Sequence, residues 1–207
     1  MAQIDLTDNE RDGIGELMNV GVGKAAAALG RLVKAEVELS VPRIFLVPLD
    51  EIEKHTPVTG NQPIAGSYSS FDGPLVGALG FVVPAASRRQ FLVLVLGDEF
   101  DSDEAEVLEQ DLLLEIGNII CNACIAGISN AFKIDLTTAP PTFFAASPRE
   151  ALAEMTGSRS NGQMLLVELD FALRSGELRV YLWMAMDEAA TDRFRVHLGR
   201  YLAELGL

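Results

Sequence analysis

The sequence has only two cysteines in 207 residues, and basic side chains are far fewer than acidic ones. Two cysteines are too few for the disulfide framework that holds small secreted proteins together. The 16 basic residues stand against 30 acidic ones, which gives a formal net charge of -14. This charge repels the phosphates of nucleic acids and the anionic lipids of membranes. We therefore expect neither a nucleic-acid partner nor a membrane partner.

The sequence also lacks a long run that is free of polar residues. Its most apolar window, residues 112–132, contains Glu115, Asn118 and Asn122, which are unfavourable in a bilayer span of about 20 mainly apolar residues. A buried helix explains this window better. Residues 1–12 have no basic segment followed by an apolar one, so they do not resemble a secretory signal. These features predict a cytoplasmic protein.

The hydrophobic pattern divides the chain into two similar halves. Thr7 with Glu10, and Asp103 with Glu106, are capping boxes that precede helical periodicities reaching about residues 32 and 132. The first helix is followed by predicted strands at 36–49, 64–71 and 75–83 and by a short helix from Pro84 to about Gly97. The second is followed by predicted strands at 136–146, 163–173 and 177–186 and by a closing helix at about 187–205.

Four residue types recur at one fixed offset along the chain. Asp12, Glu16, Asn19 and Pro42 are matched 99 positions later by Asp111, Glu115, Asn118 and Pro141. Matched polar residues in otherwise apolar helices at constant spacing indicate an internal duplication. We predict one domain over residues 1–207 with two pseudo-symmetric repeats at about 7–98 and 101–207. The fold class is α/β (α+β): two tandem repeats of a helix plus antiparallel strands, with the two long helices packed on β-sheet.

The repeated polar residues share one face of each long helix. At about 100° per residue, positions i, i+4 and i+7 fall within roughly 60°, so Asp12, Glu16 and Asn19 point the same way. The opposite face of the first helix is apolar, and we expect it to include Ile14, Leu17, Gly21, Val22, Ala25, Ala28, Leu29 and Leu32. In the second helix we assign the inner face to Leu113, Ile116, Ile120, Cys124, Ile128 and Ala131, and the outer face beyond Asn118 to Asn122, Ile125 and Ser129.

A carboxylate and a carboxamide one helical turn apart have complementary chemistry. A Glu side chain can pair with a lysine or transfer a proton, whereas an Asn side chain only donates and accepts hydrogen bonds. The pair therefore favours binding and water positioning over proton transfer. A single such pair is most simply a solvated helix face, and its duplication is what favours a functional interpretation.

Weaker patterns have simpler explanations. Cys121 and Cys124 form a Cys-x-x-Cys pair in the middle of a helix, where buried small residues explain them better than a redox or metal site. The small residues Gly23, Ala26, Ala27 and Gly30 next to Asn19 permit close approach either by a partner or by another helix of the same fold. His55 and His197 are isolated in the sequence, which favours loop or surface positions over catalysis.

The spacing Asp-x3-Glu-x2-Asn, with 22 residues between the Asn and a Pro, resembles the signature of the CheC/CheX family, the phosphatases of the chemotaxis response regulator CheY. Both copies match it: Asp12, Glu16, Asn19 and Pro42, and Asp111, Glu115, Asn118 and Pro141. Two intact motifs in one chain look more like CheC than CheX, which carries one motif and dimerises. The flanking helical segments and hairpins also look like the family, so the resemblance covers nearly the whole chain.

The resemblance implies a phosphatase that hydrolyses the aspartyl phosphate of a CheY-type chemotaxis response regulator. By this resemblance Glu16 and Glu115 pair with the lysine beside the phosphoaspartate, and Asn19 and Asn118 orient a water in line with phosphorus. Asp12 and Asp111 are expected to support the helix face or to contact the partner. No cofactor of the chain's own is implied, because the Mg²⁺ expected at the reacting phosphate belongs to the partner regulator.

Pro42 and Pro141 are expected to set the path of the neighbouring strands. The alternative function is a noncatalytic adaptor that binds a receiver domain or a receptor deamidase of the CheD type. A component of the flagellar switch is a third possibility, which two intact motifs argue against, since noncatalytic relatives in the switch typically lack intact motifs.

Overall fold

The computed structural model describes residues 6–41, 43–51, 63–97, 105–157, 162–173 and 176–206. Within these ranges the helices are α1 Asp8–Val33, α2 Arg88–Leu96, α3 Ala105–Phe132, α4 Pro148–Thr156 and α5 Glu188–Leu205. The strands are β1 Val37–Ser40, β2 Ile44–Pro48, β3 Ile64–Asp72, β4 Gly77–Pro84, β5 Thr137–Thr138, β6 Thr142–Ala146, β7 Gly162–Leu173 and β8 Gly176–Asp187.

The eight described strands form one sheet in which every pairing is antiparallel. Its order is β1, β7, β8, β4, β3, β5, with β2 continuing alongside β7 and β6 alongside β3. The strands at both edges are exchanged between the halves of the chain. Ile44 of β2 pairs with Val167 of β7, and Ile64 of β3 pairs with Ala146 of β6. Each half therefore supplies edge strands to a hairpin of the other half.

The two faces of the sheet are covered unequally. The larger core contains buried side chains from α1, α2, α3 and α5, together with alternate residues of the strands, such as Leu165, Val167 and Leu169 of β7. The opposite face carries a smaller core around Trp183 that is packed by α4. Strand side chains alternate between the two faces, so both faces of β7 and β8 are largely apolar. A mixed fold with two long helices on an antiparallel sheet is confirmed.

The ends and the faces of the long helices follow from particular side chains. The predicted capping box is present at α1, where the Glu10 backbone N–H donates to Thr7 Oγ1 at 3.2 Å and the Thr7 backbone N–H donates to Glu10 Oε2 at 2.8 Å. Helix α3 is held to β3 by a hydrogen bond from Ser67 Oγ to the Leu113 carbonyl, 2.7 Å long. It is held to α2 by the ion pair between Arg88 and the buried Glu109.

Helices α1 and α3 lie against each other on the same face of the sheet and cross at a glycine. A Cβ atom built on Gly21 would lie 2.8 Å from the Cα of Cys124 and 3.2 Å from the carbonyl oxygen of Ala123. Gly127 of α3 faces Gly21 from the other side, with a built Cβ 3.6 Å from the Gly21 Cα. Backbone therefore contacts backbone, and this close approach fixes the distance between the helices that carry the two motifs.

Two predicted helix positions are wrong. Leu32 was expected to be buried but is 44% exposed, because the buried residues of α1 end at Leu29 and the last turn extends past the core. Ile125 was expected on the outer face but is 3% exposed. Helix α3 packs against α1 as well as against the sheet, so its buried sector is wider than a single face.

The strand prediction also needs correction at two places. The predicted strand 136–146 is interrupted between β5 and β6, where Pro140 and Pro141 have no N–H to donate to a ladder. The predicted strand 36–49 is divided into β1 and β2.

Helix α4 was not predicted at all, although Ser147 and Glu150 form a capping box with Pro148 in the first turn. Pro42, His55 and Asp103 lie outside the described residues.

Helix α3 is long and apolar enough to cross a bilayer by length and composition, over Glu106–Phe132. Half of its most apolar window is buried inside the fold. Its inner face belongs to the larger core, with Leu113, Ile116 and Ile120 fully buried. These contacts identify α3 as a core helix of a globular domain.

Because Gly21 has no room for a methyl group, Gly21→Ala is expected to lower the free energy of unfolding by about 1–3 kcal/mol through forced separation of α1 and α3. Gly23→Ala is the matched control, since a Cβ there would meet nothing within 4 Å. The control is expected to be neutral or to stabilise by up to about 1 kcal/mol through helix propensity. Urea denaturation monitored by circular dichroism measures both, and equal effects of the two substitutions would contradict the proposed crossing.

Both cysteines are buried, and burial raises the pKa of each thiol. The pKa of Cys124 rises to about 12, and that of Cys121 rises well above its ordinary value, first by burial and then by the neighbouring Cys124. Almost no thiolate is then present at pH 8. We expect Ellman's reagent to react with neither thiol of the native protein and with both in denaturant. Rapid reaction of a native thiol at pH 8 would show that these side chains are accessible.

Candidate functional site

The motif residues of α1 lie on its solvent-facing side. Asp12, Glu16 and Asn19 are exposed, whereas Ile14 and Leu17 between them are buried in the larger core. Glu16 and Asn19 are three residues apart, so their Cβ atoms lie on the same face about one turn apart. The arrangement presents one carboxylate and one carboxamide to solvent, on a helix whose other side is anchored to the sheet.

An open groove runs beside these residues, between α1 and the start of β2. Its volume is about 720 Å³. Arg11 crosses one end of the groove, where its Nη1 donates a 2.7 Å hydrogen bond to the Ile44 carbonyl and ties α1 to β2. The groove is lined by Arg11, Asp12, Gly15, Glu16, Asn19, Val20, Val41, Arg43, Ile44 and Phe45.

Charged side chains organise the strand side of the groove. Arg43 Nε donates to Glu168 Oε2 at 2.6 Å, and Arg179 Nη1 lies 3.7 Å from the same oxygen. The carboxylate of Glu168 is buried, with a side chain only 5% exposed, and its two arginine partners compensate for its lost hydration. Arg43 remains 58% exposed at its side chain, so the groove presents a cation opposite the acidic residues of α1.

A tyrosine of α5 lies within electrostatic reach of Glu16. Burial, and secondly the negative charge of Glu16, raise the pKa of Tyr201. The phenol therefore stays protonated at neutral pH. Tyr201 also stacks edge-on against Phe132, with ring centroids 6.3 Å apart, which fixes this part of α5 next to the helix pair.

The second copy of the motif lies on the outer side of α3. Asp111 and Glu115 are exposed, while Asn118 is half-buried. Asn122, one turn further along, donates from Nδ2 to the Oδ1 of Asn118 at 2.6 Å. In α1 the residue one turn beyond Asn19 is Gly23, which has no side chain to make this bond.

The two copies therefore share their motif but differ in their surroundings. At the offset of 99 residues, Arg11 corresponds to Gln110 and Arg43 corresponds to Thr142. The first copy is bordered by two arginines, and the second has neutral side chains at both positions. Thr142 lies opposite Tyr68 on β3, in the place where the first copy has the Arg43 and Glu168 ion pair.

The prolines of the motif lie away from the helix face. Pro141 is partly buried and immediately precedes β6, at the break between β5 and β6. Pro42 is outside the described residues. The position of Pro141 is that of a residue which ends one strand segment and starts the next.

Sequence reasoning did not select Arg11, Arg43 or the contact between Asn122 and Asn118. Arg11 and Arg43 have no motif of their own, and they join the groove only because β2 lies beside α1. The sequence already shows that Gly23 in the first repeat is replaced by Asn122 at the equivalent position of the second. What the sequence could not show is that the two amides are in contact.

The described residues contain no group of three or more His, Cys, Asp or Glu side chains that could hold a metal ion. A second cleft of about 560 Å³ lies at the end of the sheet near β5 and α4 and contains none of the motif residues. The side chains present at the candidate site, Glu, Asn and the neighbouring arginines, can pair charges, donate and accept hydrogen bonds and orient a water molecule.

Comparison with known proteins gives results that agree with the duplicated motif. No model of a protein family matches the chain. The chain is 22% identical over 204 residues to the CheY-P phosphatase CheC of Bacillus subtilis, which covers 95% of this chain and 97% of that protein. It is 24% identical over 180 residues to the flagellar motor switch phosphatase FliY of the same organism, covering 84% of this chain and 45% of FliY.

Among solved structures, the fold is similar to that of Thermotoga maritima FliY, with a TM-score of 0.73 and 15% identity. The match covers 95% of this chain and 98% of that one. The chain is thus similar over almost its full length to a CheY-P phosphatase CheC, has the fold of FliY, and carries two intact copies of the motif that resembles the CheC/CheX signature.

Proposed function

We propose that this chain hydrolyses the aspartyl phosphate of a CheY-type response regulator in chemotaxis, using Glu16 with Asn19 and Glu115 with Asn118. The observation that carries the proposal is that the same carboxylate and carboxamide pair lies on the outer side of two adjacent helices, with Glu16, Asn19 and Glu115 exposed and Asn118 half-buried. The similarity to a CheY-P phosphatase over 95% of the chain supports the same reaction class.

Each Glu is proposed to pair with a lysine next to the phosphoaspartate of the regulator. Glu16 and Glu115 are both exposed, so a cation of the partner can reach them without rearrangement of the helix. The attraction between opposite charges is stronger at an interface that excludes water than in solvent, since the effective dielectric constant is lower, and it favours one orientation of the partner. The Glu side chains therefore contribute mainly to docking and to its register.

Each Asn is proposed to orient the attacking water. Hydrolysis of an acylphosphate needs little covalent assistance from the protein, so positioning and charge stabilisation supply most of the rate. A carboxamide has no useful pKa, but it fixes a water through its donor and acceptor groups. Loss of one such positioning group is expected to cost about 10²-fold at the affected site.

Mg²⁺ is proposed to enter the reaction with the partner regulator and not with this chain. Glu16 and Glu115 are on different helices, and the groove beside α1 presents arginines opposite its carboxylates. In this proposal the protein is a cytoplasmic enzyme without a cofactor of its own. A CheD-type deamidase stays a predicted additional partner.

The primary test is phosphate release from a phosphorylated CheY-type receiver with Mg²⁺ present. Wild type is compared with Glu16→Ala/Asn19→Ala, with Glu115→Ala/Asn118→Ala and with the variant that combines all four changes. We expect each double variant to retain the activity of its intact site and the fourfold variant to lose about 10²-fold or more, because no positioning amide remains.

The control for this experiment is Glu106→Ala/Asn130→Ala, which removes an exposed Glu and an exposed Asn of α3 that lie outside the motif. This control is expected to match wild type. If wild type binds the phosphorylated receiver without accelerating phosphate release, the protein is an adaptor and the proposed enzymatic function is wrong.

Replacing each motif Glu by Gln removes the negative charge but keeps the shape of the side chain, so it distinguishes a role in binding the partner from a role in the chemical step. In Glu16→Gln/Glu115→Gln the carboxylates become amides, so the ion pairs with the partner lysine are lost while both Asn residues remain. We expect KM to rise about tenfold and kcat to change much less, with a weaker dependence of kcat/KM on ionic strength. The measurement is steady-state kinetics at two salt concentrations. A fall in kcat at constant KM would instead assign the carboxylates to the chemical step.

A further inference from the structure

The two catalytic amides differ in what lies one helical turn after them. On α3 the residue at this position is Asn122, and its Nδ2 donates a 2.6 Å hydrogen bond to Asn118 Oδ1. On α1 the equivalent residue is Gly23. Within the described part of the chain, Asn19 is exposed and forms no side-chain hydrogen bond, whereas Asn118 is half-buried.

We propose that Asn122 is a positioning residue that orients Asn118 before the substrate binds, so that the second Glu/Asn pair turns over faster than the first. This inference rests on the proposed phosphatase function. It concerns the relative turnover of the two sites. The motif alone does not predict a difference in turnover, because both copies contain the same residues.

The direction of the effect follows from the hydrogen-bonding capacity of a carboxamide. Oδ1 has two lone pairs and Nδ2 has two N–H groups. The bond from Asn122 occupies one lone pair of Asn118 and distinguishes the oxygen end of the amide from the nitrogen end. The other lone pair and both N–H groups remain for the water and the partner. Asn118 thus keeps its capacity to hold a water while losing most of its rotational freedom.

Asn19 has to be ordered when the partner binds. Immobilising a side chain at an interface has an entropic cost, and an amide that samples several orientations holds a water in the reactive position for only part of the time. Both effects reduce turnover at the first site. Neither requires any difference between Glu16 and Glu115.

The chain allows the contact to be removed from one site and introduced into the other. In the background Glu16→Ala/Asn19→Ala, where only the second site acts, Asn122→Ala removes the donor. In the background Glu115→Ala/Asn118→Ala, where only the first site acts, Gly23→Asn introduces one. Position 23 accepts a side chain, since a Cβ there would meet nothing within 4 Å.

We expect Asn122→Ala to lower kcat of the second site about three- to tenfold without a comparable change in KM. Gly23→Asn is expected to raise kcat of the first site by a similar factor. Gly23→Ala is the control for helix propensity, and Asn130→Ala is the control for loss of an exposed Asn from α3; neither is expected to change kcat in its background. An unchanged or increased kcat in Asn122→Ala would overturn the proposal.

A measurement that does not depend on turnover tests the orientation directly. NMR order parameters of the side-chain NH₂ groups are expected to be higher for Asn118 than for Asn19 in the wild type, and to fall for Asn118 in Asn122→Ala. Equal values would overturn the proposal even if the protein is a phosphatase. If wild type does not accelerate phosphate release, the proposed function fails, and Asn122 then has no catalytic role whatever its effect on Asn118.

Discussion

The exchange of edge strands between the two halves of the chain is the constraint on which the rest of the structure depends. β1 and β2 complete the sheet against β7, and β5 and β6 complete it against β3. The pairing of β4 with β8 joins the two hairpins into one continuous sheet, each half supplies the edge strands of the other half's hairpin, and α1 and α3 lie on the same face of this sheet. The backbone contact at Gly21 then sets how closely these two helices approach.

This architecture explains why the polar motif residues lie on the outer side of helices whose other side is buried in the larger core. Each long helix uses its apolar side for the larger core, and the remaining sector faces solvent with Asp, Glu and Asn at successive turns. The helix backbone is held by the core and by the Arg11 and Ser67 hydrogen bonds, so the exposed side chains project from rigid positions. The positioning role that we propose for Asn19 and Asn118 needs this rigidity, since each amide would have to hold a water in one place.

The duplication provides two sites of similar geometry but does not make them identical. Around the first, Arg11 and Arg43 supply positive charge, and Gly23 has no side chain that could hydrogen-bond to Asn19. Around the second, Gln110 and Thr142 are neutral, and Asn122 holds Asn118. In the proposed function, a receiver domain would therefore meet two arginines and an Asn without a hydrogen-bonded neighbour on the first helix, and neutral side chains and a hydrogen-bonded Asn on the second.

The sequence by itself determined the long helices, the hairpins and the identity and facing of the motif residues, because these depend on local periodicity, capping and a repeat at constant spacing. Only the tertiary structure decided which residues surround the motif residues. Arg43 is placed by the pairing of β2 with β7, which brings it to Glu168, and Ile125 is buried as part of the larger core. Contacts between residues far apart in sequence leave no periodic signal, and for that reason no pattern of apolar or polar residues along the chain could predict them.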